Sequence, residues 1–299
     1  MFLCLKMNII NIYIHNYKFS IIIMNINNQC YRHERIRTHN KYDSQIIFPN
    51  VDMTYVLIMV GSKHEERVRK QLADYPFTRN IYLQWNYGFK NCNKHLVKQY
   101  TISDLSDAYM IAFSHAIKHN YNRILILEDD FVVNGITNTD RKNIYDFLEI
   151  YNPEILTLGS ILMESSDKFF LNNNFLQVFN KRGTHAIIYN KETINKLYIK
   201  LYNEKKDIDN LTNKLFKNYS YKLPLIIQLF PKTENRDNWF DKNSSKFIIW
   251  LSDFAIWLFG LDNEKRYKKT YKFIHDIHFN KNYRILKKIL NAISRKIYD

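Results

Sequence analysis

Three carboxylates in a row, Glu128-Asp129-Asp130, follow the unbroken apolar run Ile124-Leu125-Ile126-Leu127. Side chains two apart on a strand share a face, so this spacing predicts Glu128 and Asp130 pointing together and Asp129 pointing away. Two hard oxygen donors on one side suit Mg2+ or Mn2+ holding a phosphate group. The run itself has the pattern of a strand covered on both faces, as in parallel α/β sheets. Ligands of such sheets bind beyond the carboxyl ends of the strands, where these acids fall. The competing reading is a strand that simply ends in solvated acids, and spacing alone does not separate the two.

Elements that would position this motif are legible on either side of it. Residues 55–60 read as a buried strand closed by Gly61-Ser62, and residues 65–73 as a helix stopped by Pro76. A second strand falls at 80–85. Apolar residues recur at helical spacing over 105–119, with Ser103 or Asp104 as the expected cap. The strand at 123–127 follows at once, then an amphipathic helix over 140–151 and a strand at 154–158 ending in Gly159. Strands alternating with helices at this spacing predict a βαβ architecture with a mostly parallel sheet flanked by helices. The second half is less regular. Strands are expected at 175–179 and 185–189 around the turn Lys181-Arg182-Gly183, helices at 191–202 and 210–217, and a polar connection around Asp237 and Asp241.

Composition narrows the class without naming a function. A chain of 299 residues, 46% hydrophobic and 24% charged, can bury a sizeable core. It holds 22 Tyr and 20 Phe but only 6 Gly and 5 Pro, and the favoured residues are those with A/T-rich codons. That bias also inflates Lys, so the net charge of +15 is a weaker pointer to nucleic acid or anionic membranes than its size implies. Its distribution is more telling. Residues 263–299 hold eleven Lys/Arg against Glu264, Asp276 and Asp299. Cys4, Cys30 and Cys92 match no zinc or redox spacing and predict no disulfide framework, which favours a reducing, cytoplasmic setting.

Residues 1–50 contain no apolar run long enough for a membrane span or signal peptide and are expected to form an extension outside the fold. The most apolar segment, residues 247–261, falls short of a spanning helix. Followed by the basic tail, it fits either a core helix or an element lying in a membrane interface, so 247–299 is a candidate for peripheral membrane contact. His275 and His278 can share a helical face, but read as partly exposed histidines of a basic helix rather than as ligands.

Taken in order, these landmarks resemble glycosyltransferase family 25, which includes lipooligosaccharide and collagen galactosyltransferases and forms from large DNA viruses. Residues 55–59 with Glu66-Arg67 look like its first strand and acidic-Arg pair, and 124–131 is similar to its central strand and metal motif. Residues 183–189, Asp209, and Pro224 with Gln228 match later landmarks, so the resemblance spans 54–230. One element departs. Where the family has Gly-Cys-x-x-Ser-His, residues 104–109 read Asp-Leu-Ser-Asp-Ala-Tyr.

The resemblance implies a GT-A-like, Rossmann-type α/β domain over 51–240, with the apolar segment and basic tail at 241–299. It implies an inverting transferase that uses Mn2+ or Mg2+ and takes a hexose from a nucleotide sugar, UDP-galactose or another UDP-hexose. The acceptor would be a glycan, glycolipid or glycoprotein, with no specific nucleic acid. Glu128 and Asp130 would hold the metal, with Asp129 beside them. Asp209 would be the general base and Asp207 the runner-up, although both also suit an N-cap for the following helix. Arg67 would reach the donor phosphates, or else is an ordinary helix charge. Gly61 would let the backbone pass close to the nucleotide, or is only a loop glycine. Two rival functions remain open at this point: a Mg2+-dependent nuclease or phosphotransferase, and a non-catalytic basic protein binding membranes or nucleic acid.

Overall fold

A computed structural model of the chain describes residues 7–14, 17–24, 29–37, 46–94, 96, 100–160, 162–182, 185–204, 207–228 and 264–298. Strands β1 (Met7–Ile14) and β2 (Tyr17–Met24) pair antiparallel in a two-stranded sheet of their own. The main sheet draws on β3 (Tyr31–Arg37), β4 (Met53–Met59), β5 (Asn80–Asn86), β6 (Arg123–Glu128), β8 (Ile155–Thr157), β9 (Leu162–Phe170), β10 (Phe175–Arg182), β11 (Ala186–Asn190) and β12 (Asn218–Tyr221). Its nine strands run in the order β3-β5-β4-β6-β11-β8-β12-β10-β9. A small antiparallel pair, β7 (Phe131–Val133) with β13 (Ile226–Gln228), lies beyond the end of β6.

The apolar runs explain the centre of this sheet. Alternate residues of β4 and β6 go to opposite faces. Val56, Ile58, Leu125 and Leu127 join one core with Val68 and Leu72 of α1 (Glu65–Asp74) and with Ile144, Phe147 and Leu148 of α3 (Asn138–Tyr151). Tyr55, Leu57, Ile124 and Ile126 join the other, against Ala108, Tyr109, Ala112 and Phe113 of α2 (Thr101–Lys118). The same layer takes in Leu197 and Leu201 of α4 (Lys191–Glu204) and Leu211 of α5 (Ile208–Leu215). The protein is thus an α/β fold with a large mixed sheet flanked by helices on both faces. Parallel pairing is confined to β4 with β5, β4 with β6, and β8 with β12; the other neighbours in the sheet run antiparallel.

Several expectations need correction. The extension over residues 1–50 does not lie wholly outside the fold, because β3 pairs with β5 along its length and Ile47 and Phe48 are fully buried in the core. Cys30 and Cys92 are joined in a disulfide, which removes the ground for reading a reducing compartment from the cysteines. Neither Ser103 nor Asp104 caps α2, which starts at Thr101. Asp104 lies inside the helix, where its carboxylate accepts from the buried ammonium of Lys94 at 2.6 Å.

The C-terminal helices α6 (Glu264–Phe279) and α7 (Arg284–Tyr298), joined by a 3-10 turn at Lys281–Tyr283, complete the described chain. His275 and His278 are not partly exposed. Both are buried, with His275 Nε2 3.0 Å from the Ser160 carbonyl and His278 Nδ1 2.7 Å from Ser165 Oγ. The apolar segment 247–261, like Asp237 and Asp241, lies outside the described residues.

Candidate functional site

The strand order reverses at β4: the chain goes from β4 through α1 to β5 on one side, then through α2 to β6 on the other. Crevices of open α/β sheets form at such a switch, outside the carboxyl ends of the flanking strands. Here those ends are Met59-Val60-Gly61 of β4 and Glu128-Asp129-Asp130 of β6. Gly61 has φ +81°, a left-handed conformation that favours glycine, and no atom lies within 4 Å of where a Cβ would stand.

Each of the three acids meets a different element, and strand alternation does not govern them all. β6 ends at Glu128, and Asp129 and Asp130 form a turn before β7. Glu128 continues the face of Ile124 and Ile126, so it meets α2: the buried Tyr109 hydroxyl donates to Glu128 Oε1 at 3.2 Å. The Glu128 N–H donates to the carbonyl of His185 at 3.1 Å. Asp129 faces β4, its Oδ2 3.5 Å from the Met59 N–H, and its carbonyl accepts from the Arg67 guanidinium at 2.7 Å. Arg67 is therefore a clamp on the acidic turn.

Asp130 is the most constrained of the three. It is 5% exposed, and Gln228 Nε2 donates to its Oδ2 at 2.8 Å. Its Oδ1 is buried with no hydrogen-bond partner among the described residues. Burial drives its pKa well above the usual carboxylate range, the charges of Glu128 and Asp129 push further, and Gln228 and Arg67 pull the other way.

Gln228 reaches Asp130 because β13 is held tightly. Both Leu225 and Ile226 donate backbone N–H groups to the Leu158 carbonyl, at 2.8 and 3.2 Å. Gly159 lets the chains approach, since a Cβ there would collide with the Ile226 carbonyl oxygen. His185 Nε2 lies 3.2 Å from that same oxygen, and burial lowers the His185 pKa to about 4, so its neutral ring donates there.

Asp207 and Asp209 stand at the start of α5. Asp207 is the N-cap: its Oδ1 accepts from the Asp209 N–H at 3.0 Å and its Oδ2 from Asn210 at 3.2 Å. Its carboxylate is thus engaged in capping, which counts against it as a base. Ser106 Oγ accepts from the Ile208 N–H at 3.2 Å, so the element at 104–109, unlike the family pattern, still anchors α5 to α2.

Sequence reading missed Lys181 and Tyr109. Lys181, at the end of β10, is fully buried; burial lowers its pKa, and the charges of Asp209 and Glu128 oppose that. Tyr189 feels the same two carboxylates, which add to the effect of burial in raising its pKa. One buried cation and one buried phenol therefore lie within electrostatic reach of both Asp209 and Glu128. The backbone of Lys181 is fixed by Asn213, which accepts from its N–H at 3.1 Å and donates to its carbonyl at 2.9 Å.

Among the described residues no group of three or more His, Cys, Asp or Glu side chains is arranged to hold a metal ion. Mg2+ and Mn2+ at phosphate sites are commonly held by one or two carboxylates, with substrate phosphates and waters completing the shell. The unpartnered Asp130 Oδ1, within electrostatic reach of Glu128 and Asp129, fits that smaller donor set.

No protein-family model matches the chain, and no curated protein matches it. Among solved structures it is similar to a glycosyltransferase involved in glycosylation of the major capsid of PBCV-1, at 13% identity and TM-score 0.38, over 62% of this chain and 97% of that one. It is also similar to A197 from STIV, at 13% identity and TM-score 0.37, over 57% of this chain and 81% of that one. A third is mannose-1-phosphate geranyltransferase from Thermus thermophilus, at 11% identity and TM-score 0.35, over 56% of this chain and 73% of that one.

Proposed function

We propose that the protein is a metal-dependent inverting glycosyltransferase that takes a hexose from a nucleotide sugar, UDP-galactose or another UDP-hexose. The observation that carries this reading is Asp130: a buried carboxylate with an unpartnered oxygen, beside two more acids at the switch point of the sheet. Such a buried carboxylate is electrostatically costly without a cation, and the crevice at a switch point is where ligands of such sheets bind.

In this reading Glu128 and Asp130 would hold Mn2+ or Mg2+, which would supply Lewis-acid stabilisation of the departing nucleoside diphosphate. The chain does the rest. Tyr109 orients Glu128, Gln228 orients Asp130, and Arg67 fixes the turn that carries Asp129. Gly61 gives the nucleotide an open approach to the backbone at the end of β4. Asp209 accepts the proton of the acceptor hydroxyl as that oxygen attacks the anomeric carbon and the bond to the diphosphate breaks with inversion. The acceptor is a glycan, glycolipid or glycoprotein.

The test is a screen of UDP-sugars for hydrolysis and transfer, with and without Mn2+, run beside Asp130→Asn. Turnover should require the metal and fall by ~10²–10³-fold in the variant, the scale on which removal of one transition-state stabiliser is felt. Metal-independent turnover or full activity in Asp130→Asn would sink the mechanism. Unchanged activity in Asp209→Asn would remove only the base.

A further inference from the structure

Over residues 284–292, helix α7 is packed the wrong way round for an ordinary surface helix. Its inward residues are polar: Lys287 is 8% exposed, donates to the Ser166 carbonyl at 2.8 Å and pairs with Asp167 at 2.9 Å. Asn291, one turn on, brackets Ser165 of β9, accepting from its N–H and donating to its carbonyl, each at 3.2 Å. At about 100° per residue, Ile285 and Ile289 then stand on the opposite side of the helix. They are 76% and 50% exposed, with Leu286 beside them at 42%. An amphipathic helix on a soluble domain normally buries its apolar stripe and shows its charges. Here hydrogen bonds and an ion pair hold the polar stripe on β9, and the apolar stripe faces out.

The surroundings of that stripe say what would cover it. Arg284 and Lys288, also one turn apart, are exposed along its flank. On α6 the exposed Phe273 (52%) lies next to Lys272, and its ring is 6.3 Å from that of Tyr283 at the entrance to α7. A second copy of this chain would bring cations against cations, since the tail from 263 to 299 carries eleven Lys/Arg and three acids. Apolar side chains between cations match an anionic bilayer surface, where isoleucines enter the acyl boundary and Arg and Lys stay with the headgroups. Among the described residues no helix is long and apolar enough to cross a membrane, so the contact is one of lying on the surface.

We propose that the outward face of α7, Ile285, Leu286 and Ile289, flanked by the exposed cations Arg284 and Lys288, docks the protein onto an anionic membrane. This stands on observations separate from the transferase site. The full chain is sedimented with phosphatidylcholine vesicles, with and without phosphatidylserine. Two variants accompany it, Ile285→Ser with Ile289→Ser, and Arg284→Gln with Lys288→Gln. All four positions are exposed, so thermal unfolding should be unchanged. Binding is expected only with phosphatidylserine, weakened by salt, and reduced about tenfold by either double variant. The proposal fails if the chain ignores anionic vesicles, or if binding survives the isoleucine changes. It also fails if the stripe proves to be a self-association surface, with the isoleucine variant becoming monomeric while vesicle binding persists.

Discussion

Two buried lysines mark two different regions of the molecule. Lys94 lies by the amino end of α2, where its ammonium donates to Asp104 at 2.6 Å and to Asn86 and Tyr31 at 2.7 Å each. Asp107 is a further 3.4 Å partner, and the Tyr31 hydroxyl donates to that carboxylate at 2.5 Å. Both faces of the charge are met at short range, and the Cys30–Cys92 bridge closes the chain beside it. Lys181 lies at the end of β10, and the acids that act on it are Asp209 and Glu128, the proposed base and a proposed metal ligand. A buried ion pair that is fully hydrogen-bonded is a joint in the scaffold. A buried cation within electrostatic reach of two carboxylates is different: burial disfavours its charge, and Asp209 and Glu128 support it.

The largest test of this contrast is Lys94→Met. Removing the cation leaves Asp104 buried and uncompensated, so urea unfolding should show a loss of about 3–5 kcal/mol. The fraction that remains folded should turn over normally; a stable but inactive Lys94→Met would erase the distinction. Next comes Gly159→Ala, which probes the antiparallel half through its backbone. The new Cβ must push the Ile226 carbonyl aside, at a cost of about 3 kcal/mol, and β13 moves with it. Gln228 then loses its place on Asp130. Stability and activity should fall together, whereas Gln228→Leu should lower activity with a smaller loss of stability.

The same division governs what the sequence discloses. In the half built from β4, α1, β5, α2 and β6, strands are continuous apolar runs and helices repeat at helical spacing, because each strand is covered on both faces. In the other half β8, β10 and β11 fall where strands were expected, but two strands are hidden. β9 runs through Glu164, Ser165, Ser166, Asp167 and Lys168, and β12 is Asn-Tyr-Ser-Tyr. Partners far along the chain satisfy such residues: Ser165 Oγ lies 2.7 Å from His278 Nδ1, and the Ser165 N–H donates to Asn291 Oδ1 at 3.2 Å. Nothing local announces such a partner. The acidic triplet was legible because its residues are adjacent, though β6 stops at Glu128 and a turn carries Asp129 and Asp130. Tyr109 looks like one more core aromatic of α2. Lys181, preceding Arg182-Gly183, looks like a turn residue, and only the pairing of β10 with β12 and its anchoring to α5 bring it to the site.

Lys181→Met sharpens the comparison from the functional side. Burial works against the charged ammonium, so a methionine of similar length should leave stability equal or higher. Transfer should nevertheless fall by about 10²-fold, with an altered pH profile, because Asp209 and Glu128 lose a neighbouring positive charge. A large loss of stability with unchanged pH dependence would place Lys181 with Lys94 as a scaffold residue.

The smallest expected effect per residue concerns acid. Burial lowers His185 and His275 to about 4 and His278 to about 3, and all three pack in or against the antiparallel half. In the unfolded chain each titrates near ~6.5. Between those values the unfolded state binds more protons than the folded one, so stability is fully present above about pH 6.5 and is lost as pH falls toward 4. From about pH 6.5 to about pH 5 the loss is ~2 kcal/mol per histidine. His115 on α2 is also lowered to about 4, by burial first and then by His119, but it is partly exposed and should contribute less. Urea unfolding across that range should therefore show a slope that His275→Asn with His278→Asn flattens more than His115→Asn does. Equal flattening would mean that the two halves resist acid alike, and that the buried histidines of α6 do not set the acid limit of the fold.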